Sequence, residues 1–120
     1  RHFRDARGEL PDTGTVKKII ETSLRESLTA LQSDFVDVYM LHQADVEILS
    51  RDDVAETFLH LKKQGVIRAT GVSTYKTEET RKAVDSGAWD VVQLPFNLMD
   101  QSQETQFSAA ARNSVGIVIR

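Results

Sequence analysis

The sequence has no cysteine among its 120 residues, which excludes disulfide bonds, thiolate metal ligands and cysteine nucleophiles. This absence suits a reducing compartment, and we expect a cytoplasmic protein. Basic residues are not in excess, since 15 Lys and Arg stand against 18 Asp and Glu, so there is no electrostatic reason to expect a nucleic-acid partner. No apolar run approaches the roughly 20 residues of a membrane-spanning helix, so we expect no membrane partner.

The composition that remains is that of an ordinary globular domain. Hydrophobic residues make up 40% of the chain and charged residues 28%. This length suffices for one modest domain and is too short for two, so residues 1–120 are assigned to a single domain. The polar opening, residues 1–14, holds two glycines and a proline and is expected to be a loop.

Helical and strand-like segments alternate along the rest of the chain. The first helix has an apolar stripe at steps of three and four, formed by Val16, Ile19, Ile20, Leu24, Leu28 and Leu31. The next two helices are expected to begin at the N-caps Ser50 and Thr77 and to end at Gly65 and Gly87. A last helix is expected at about residues 103–113. Four short apolar segments between the helices are typical of buried strands: residues 34–42, 66–73, 89–94 and 115–119.

Strands separated by helix-length crossovers run parallel, which leaves a (β/α) barrel or a doubly wound open sheet. A dinucleotide-binding open sheet usually carries G-x-G-x-x-G after a strand, and none is present. His42, Ser73 and Gln93 lie at or near the carboxyl ends of strands, where barrel enzymes place their sites. The sequence therefore favours an α/β fold that is part of a (β/α)8 TIM barrel, with about four parallel strands and intervening helices.

Four motifs in register resemble the aldo-keto reductase family. They are SLRESLTALQSDFVDVYMLH (residues 23–42), LKKQGVIRATGVST (61–74), VVQLPFNLMD (91–100) and GIVIR (116–120). The resemblance implies an eight-stranded barrel that carries NADP(H), or alternatively NAD(H), across its carboxyl-terminal mouth. The implied reaction is reversible hydride transfer between this cofactor and a small-molecule carbonyl or alcohol substrate.

The resemblance also assigns site residues. The family's catalytic set is Asp, Tyr, Lys and His, and only the His has a counterpart here, His42. Ser73 and Gln93 match the residues that hold the nicotinamide carboxamide. Thr74 stands where Asn is common, and Arg120 stands approximately where a residue, often aromatic, packs flat against the nicotinamide. Without the resemblance, His42 could equally cap the sheet, and Ser73 and Gln93 could be an ordinary turn and strand end.

Other polar residues have simpler interpretations. No two His or carboxylates show metal-ligand spacing, so we expect no metal site. The acidic pairs at residues 52–53 and 78–79 suit the first turns of helices. Asn97 is better explained as a loop-stabilising amide, and His60 as part of a solvated helix face.

Because the other catalytic residues of the family are expected upstream, we expect this chain to be an internal part of an enzyme and inactive alone. Two alternatives remain: a cofactor-binding regulatory protein on the same fold, and a truncated, inactive gene product. A half barrel would also have open sheet edges, through which we expect the chain to associate with itself.

Overall fold

The computed structural model describes residue 4 and residues 7–120, so the first part of the expected loop lies outside the described residues. Helices and strands alternate in the predicted order, with one short extra helix. The helices are α1 (Thr13–Leu31), α2 (Val46–Leu49), α3 (Asp52–Lys63), α4 (Thr77–Asp85) and α5 (Glu104–Arg112). The strands are β1 (Val36–Leu41), β2 (Ile67–Ser73), β3 (Val91–Leu94) and β4 (Gly116–Ile119).

The four strands form one parallel sheet in the order β1-β2-β3-β4. Each neighbouring pair is joined by a crossover that contains a helix, as the alternating sequence pattern predicts. The predicted α/β class and the parallel arrangement are therefore confirmed. Within the described part of the chain, β1 and β4 each have only one neighbouring strand.

The two faces of the sheet differ in what covers them. The helices cover one face, where Leu41, Val72 and Val92 are buried and the Phe58 ring lies 5.3 Å from that of Tyr39. On the other face, Gly71 allows Val38 and Met40 to approach closely, since a Cβ at Gly71 would lie 2.9 and 2.8 Å from their side chains. We call this the inner face. The prediction that Val38 and Met40 point away from Tyr39 and Leu41 is confirmed, whereas Val36, predicted to share the face of Val38, packs against the buried core.

Helix α1 buries part of the apolar stripe that was predicted from the sequence. Asp12 caps its first turn by accepting hydrogen bonds from the Thr15 amide at 3.1 Å and the Thr15 hydroxyl at 2.6 Å. Its buried residues are Val16, Ile20 and Leu24, which face the core. Leu31, the last residue of the predicted stripe, is 63% exposed at the end of the helix, so the stripe is shorter than predicted. Across residues 4 and 7–120, no helix is both long enough and apolar enough to cross a membrane.

The prediction that Ser50 begins a helix is wrong. Asp45 caps the short helix α2 instead, accepting from the Ile48 amide at 2.9 Å. Ser50 closes that helix, and its hydroxyl donates to the Val46 carbonyl at 2.6 Å. Arg51 is therefore the N-cap of α3, one residue later than predicted.

The prediction that Thr77 caps α4 is also wrong, because Thr77 is already helical and Lys76 is the N-cap. The Glu79 carboxylate reaches back and accepts from the amides of Tyr75 and Lys76, each at 2.9 Å. The predicted helix ends are confirmed: Gly65 and Gly87 follow α3 and α4 with φ of +78° and +69°, the left-handed region that favours glycine.

Candidate active site

Three polar side chains lie in one row across the carboxyl end of the sheet. Ser73 of β2 is in register with Gln93 of β3, which is in register with Val118 of β4. On the other side, Leu41 is in register with Val72, so His42, the next residue, continues the row beside Ser73. Side chains alternate along a strand, so Ser73 and Gln93 share the inner face with Met40 and Gly71. His42 follows the last residue of β1 and lines a pocket at the sheet edge with Ile20 of α1 and Phe58 of α3. The structure thus brings together His42, Ser73 and Gln93, as the strand-end positions predicted.

The polar atoms of this row are not used in holding the fold together. Ser73 is only 1% exposed, and its Oγ has no hydrogen-bond partner among the described residues. The half-buried Gln93 amide and the exposed His42 imidazole also make no hydrogen bond to any described residue. Burying a hydroxyl without a partner costs free energy, so an orphaned hydroxyl beside two free polar groups is a feature that a ligand can satisfy.

Backbone hydrogen bonds beyond the strand ends hold this row in place. The Ala44 amide donates to the Ser73 carbonyl at 3.0 Å, and the Thr74 amide donates to the Gln93 carbonyl at 2.9 Å. The Arg120 amide donates to the Leu94 carbonyl at 3.2 Å. These bonds extend the sheet past its strands, so the mouth residues lie on a rigid scaffold.

Thr74 lies next to the row but turns away from it. Its hydroxyl lies 2.8 Å from the hydroxyl of Thr80 on α4, and the residue is completely buried. The side chain therefore links the end of β2 to α4 on the side that the helices cover. The position of Thr74 in the chain is as expected, but its hydroxyl already has a protein partner.

A second cluster at the mouth was not predicted from the sequence. The Tyr75 hydroxyl accepts hydrogen bonds from Gln43 Nε2 and from Arg120 Nη1, each at 3.1 Å. The Arg120 guanidinium also lies over the Tyr75 ring, 4.0 Å from its centre. Gln43 adopts the left-handed region at φ 53°, which is uncommon for a residue with a side chain. We call Gln43, Tyr75 and Arg120 the mouth cluster.

The mouth cluster has an unusual charge balance. Hydrogen bonds from Gln43 and from Arg120 hold the pKa of the Tyr75 phenol below its ordinary value. No described carboxylate lies within 4.0 Å of the Arg120 guanidinium, whose partners are the phenol and, at 3.5 Å, the Thr74 carbonyl. Within the described part of the chain, no carboxylate side chain therefore forms an ion pair with Arg120. Of its members, only Arg120 was named in the sequence analysis; Tyr75 could have been found as an aromatic residue just after a predicted strand.

The remaining polar predictions concern residues away from the row. Asn97 stabilises its loop, as predicted, because its Oδ1 accepts from the amides of Met99 and Asp100 at 2.9 and 3.1 Å. His60 is exposed on α3. The acidic pairs occupy the first turns of α3 and α4, as predicted. Residues 4 and 7–120 contain no cluster of three or more His, Asp or Glu that could hold a metal ion.

Comparison with known proteins gives a single family. The model of the aldo/keto reductase family matches residues 9–119. An uncharacterized oxidoreductase of Bacillus subtilis, YqkF, is 29% identical over 104 residues, which are 87% of this chain and 34% of that protein. An NADH-specific methylglyoxal reductase of Escherichia coli is 29% identical over 116 residues, covering 91% of this chain and 35% of that protein. The chain thus spans about a third of these relatives.

Solved structures agree with this match. The holo form of an aldo-keto reductase from Bacillus halodurans superposes with a TM-score of 0.79 and 27% identity. The superposition covers 87% of this chain and 36% of the other. The four strands and their helices therefore correspond to part of a (β/α)8 barrel, and the predicted partial barrel is confirmed.

Proposed function

Because the chain belongs to the aldo-keto reductase family, we propose that it supplies one side of the active site of a nicotinamide-dependent oxidoreductase. The proposed reaction interconverts a carbonyl compound and an alcohol. The observation that carries the proposal is the row of His42, Ser73 and Gln93, whose side-chain polar atoms have no described hydrogen-bond partner. A bound nicotinamide cofactor would supply or accept the hydride. The residues of this chain would bind the cofactor, orient its ring and polarise the substrate carbonyl.

His42 is proposed as the catalytic residue of this chain. It directly follows β1 and is exposed, with no hydrogen bond to any residue that the structure describes. An imidazole N–H at this place can donate a hydrogen bond to a substrate carbonyl oxygen and orient it. The same hydrogen bond strengthens as negative charge develops on that oxygen, so it lowers the barrier rather than merely binding the substrate.

Ser73 and Gln93 are proposed to hold the carboxamide of the nicotinamide. A carboxamide has a carbonyl that accepts and an NH₂ that donates, and a hydroxyl paired with a side-chain amide offers both complements. The orphaned Ser73 hydroxyl fits this group because binding would give a buried polar atom the partner that it lacks. Fixing the carboxamide at two points selects which face of the ring meets the substrate.

Thr74 and Arg120 complete the proposed cofactor-binding set. The Thr74 hydroxyl is bonded to Thr80, so its contribution is to fix the turn that carries Ser73. Arg120 is planar and exposed at the mouth, and a guanidinium can stack on a flat ring.

The proposed cofactor is NADP(H), with NAD(H) as the alternative, and the proposed substrate is a small-molecule carbonyl or alcohol. The Escherichia coli relative is named as an NADH-specific methylglyoxal reductase, which supports both a nicotinamide cofactor and a small carbonyl substrate. We propose no nucleic-acid or membrane partner and a cytoplasmic location, on the charge balance and the absence of cysteine.

Binding of the nicotinamide half of the cofactor tests the proposal with this chain as it is. Reduced nicotinamide mononucleotide has the ring, the carboxamide and one phosphate but no adenosine. Its affinity therefore does not depend on residues that bind the adenosine part of the cofactor. Equilibrium dialysis is suitable because it tolerates self-association. We expect saturable binding, weakened about three- to tenfold by Ser73→Ala or Gln93→Ala, since each removes one neutral hydrogen bond.

Ser108→Ala is the matched control, because Ser108 is exposed on α5, away from the row. It should bind as the unmodified chain does. If the folded chain shows no saturable binding, or if both row variants bind unchanged, the assignment of the nicotinamide site is wrong. Binding without turnover in a complete barrel would instead favour the cofactor-binding regulatory protein.

A further inference from the structure

Strand β1 has an open edge with a groove beside it. Within the described part of the chain, β1 pairs only with β2, so the backbone groups along its other edge have no strand partner. Helix α1 and β1 line a groove of about 230 Å³ at this edge. The Tyr39 hydroxyl donates to the Ile20 carbonyl at 3.2 Å and fixes α1 relative to the strand. The wall that α1 supplies includes Ile19, Ser23 and Ser27, and the two small serine side chains leave room for an apolar segment.

Strand β4 has the features of a segment that this groove could hold. Among the described strands it pairs only with β3, so its outer edge is also open. Val118 lies on the inner face and Ile119 on the opposite face, and both side chains are exposed. A strand that is apolar on both faces is typical of a parallel sheet covered on both sides. The outer edge of β4 therefore lacks a neighbouring strand and a covering helix.

The two edges are complementary in both layers of the fold. Helix α1 stands at the β1 edge, whereas the outer edge of β4 has no helix over it in the described part. The long helices α1, α3, α4 and α5 alternate with four strands, which is half of the eight helices and eight strands of a (β/α)8 barrel. A second copy of the same chain can therefore supply what each edge lacks.

We propose that two copies of this chain form one closed eight-stranded parallel barrel, in which β4 of each copy enters the groove between α1 and β1 of the other. A twofold axis along the barrel makes the two contacts equivalent and keeps all carboxyl ends at one mouth. Because each copy has one edge of each kind, the association closes at two copies. The proposal does not depend on nicotinamide binding. We call the contact between β4 of one copy and β1 of the other the seam.

Barrel closure fixes which residues meet at the seam. The register of an eight-stranded barrel of this class shifts by about eight residues in one circuit, hence by about four for each copy. The row from His42 to Val118 runs in register across four strands, so Val118 meets a residue four positions before or after His42 of the second copy. Val46 belongs to helix α2, which leaves Val38 of β1. Val38 and Val118 are 41% and 43% exposed on the inner face, so their pairing covers both.

The copy number is tested by light scattering and sedimentation of the 120-residue chain. A closed pair has twice the mass of 13.5 kDa, and this mass should not rise further with concentration. Ile119→Asp should weaken the pair about a hundredfold or more, because the seam would bury a carboxylate without a partner. Leu98→Asp is the matched control, since Leu98 is exposed in the loop after β3 and away from both edges, and it should leave the pair intact.

Three results would overturn the closed pair. They are a monomer at all concentrations, a mass that keeps rising with concentration, and an Ile119→Asp chain that is folded by circular dichroism and pairs as the unmodified chain does.

Disulfide cross-linking tests the register without disturbing the fold. The chain has no cysteine, so Val38→Cys combined with Val118→Cys can form bonds only between the introduced thiols. Partners in register on neighbouring strands lie within the Cα separation of about 4.4–6.8 Å that a disulfide requires. Within one copy, β1 and β4 lie at opposite edges of the sheet, so oxidation should give covalently linked pairs of chains.

His42→Cys combined with Val118→Cys is the matched control for the register. In the staggered barrel this pair is displaced along the strands by about four residues, or about 13 Å, so it should not cross-link. Cross-linking of the His42→Cys pair in preference to the Val38→Cys pair would show an unstaggered sheet and overturn the barrel. Equal cross-linking of both pairs, or of neither, would also overturn it, because the seam requires one register.

Discussion

Ser73 and Gln93 face each other in register on neighbouring parallel strands, and neither side chain has a hydrogen-bond partner in the described part of the chain. Strand β2 places a buried hydroxyl and strand β3 places a half-buried amide at the same height of the inner face. Sheet hydrogen bonding therefore fixes the spacing of the pair, so a substitution at either residue changes chemistry with little change of geometry. Because the backbone geometry does not depend on these side chains, substitutions in the row test their chemistry directly.

The first prediction concerns Gln93 in a complete barrel. Gln93→Ala should weaken the binding of the whole cofactor, because one carboxamide contact is lost, with a contribution of about 0.5–1.5 kcal/mol. Cofactor fluorescence titration measures the affinity directly. Unchanged affinity together with unchanged turnover would remove Gln93 from the site.

The second prediction concerns His42 in the same complete enzyme. His42→Ala should lower turnover by about a hundredfold or more and alter cofactor affinity much less, because the imidazole acts on the substrate oxygen. Steady-state kinetics and cofactor titration on the same preparation separate the two effects. A folded His42→Ala enzyme with full turnover would show that this His only caps the sheet end.

The third prediction uses the two tyrosines as reporters. Hydrogen bonds from Gln43 and Arg120 lower the pKa of Tyr75, whereas burial raises the pKa of Tyr39 above its ordinary value of 10.0. An ultraviolet titration of the folded chain should therefore resolve two phenol steps, one below and one above that value. Arg120→Met should move the lower step upwards and leave the upper step in place. A single unsplit step near the ordinary value would contradict the contacts of both residues.

The fourth prediction concerns the amino-terminal end of the sheet, where Asp90 accepts from Lys62 Nζ at 2.7 Å and from the Thr70 amide at 2.8 Å. Burial alone would raise the pKa of Asp90, but the hydrogen bonds from Lys62 and Thr70 prevail and lower it below 3.8. Asp90→Asn should cost about 1–2 kcal/mol of unfolding free energy at neutral pH, discounted for the partial exposure of the pair.

The pH dependence of this contribution has a definite sign. Because the folded carboxyl has a pKa below its ordinary value of 3.8, its stabilisation is present above that value and is lost as the pH falls through the folded pKa. Denaturant unfolding of both proteins should show a difference that shrinks in acid. Asp85→Asn is the control, since Asp85 pairs with Arg81 at 3.8 Å on the exposed side of α4 and should cost little. A pH-independent difference for Asp90→Asn would contradict the role of the charged form.

The sequence predicted helices correctly where the spacing of apolar residues and the position of helix-terminating glycines agree. The stripe that includes Val16, Ile20 and Leu24 repeats at helical spacing, and Gly65 and Gly87 stop helices at the predicted residues. The short helix α2 escaped prediction because four residues are too few for a periodic pattern and Asp45, not an apolar stripe, initiates it. The N-cap at Ser50 failed for the same reason, since that serine closes α2.

The sequence predicted those site residues that lie at the carboxyl ends of strands. His42, Ser73 and Gln93 could be placed together because parallel strands bring their carboxyl ends to one edge of the sheet. The contacts within the mouth cluster could not be predicted, because Tyr75 and Arg120 are 45 residues apart in sequence and meet only through their side-chain conformations. The orientation of the Thr74 hydroxyl towards Thr80 depends in the same way on how α4 packs.

The last prediction is that this chain, expressed alone, associates with itself and reduces no carbonyl. Its sheet has four parallel strands, and the outer edges of β1 and β4 have no neighbour in the described part. A barrel of this class closes with eight strands, so an isolated four-stranded sheet has backbone groups at both edges that can pair with another copy. On its inner face, Val38 and Val118 are 41% and 43% exposed, an apolar surface that association would cover.

The absence of turnover follows from the groups at the mouth. His42 can polarise a carbonyl oxygen, but reduction also needs a proton donor, and the family's catalytic Tyr and Lys have no counterpart in the four motifs that resemble the family. Light scattering of the purified chain should show a mass above 13.5 kDa, and cofactor absorbance with a panel of aldehydes and ketones should stay at background. The control is a complete barrel from the same family, assayed with the same panel. A soluble monomer with clear turnover would mean that the catalytic groups lie within these residues and that His42 acts with a proton donor of this chain.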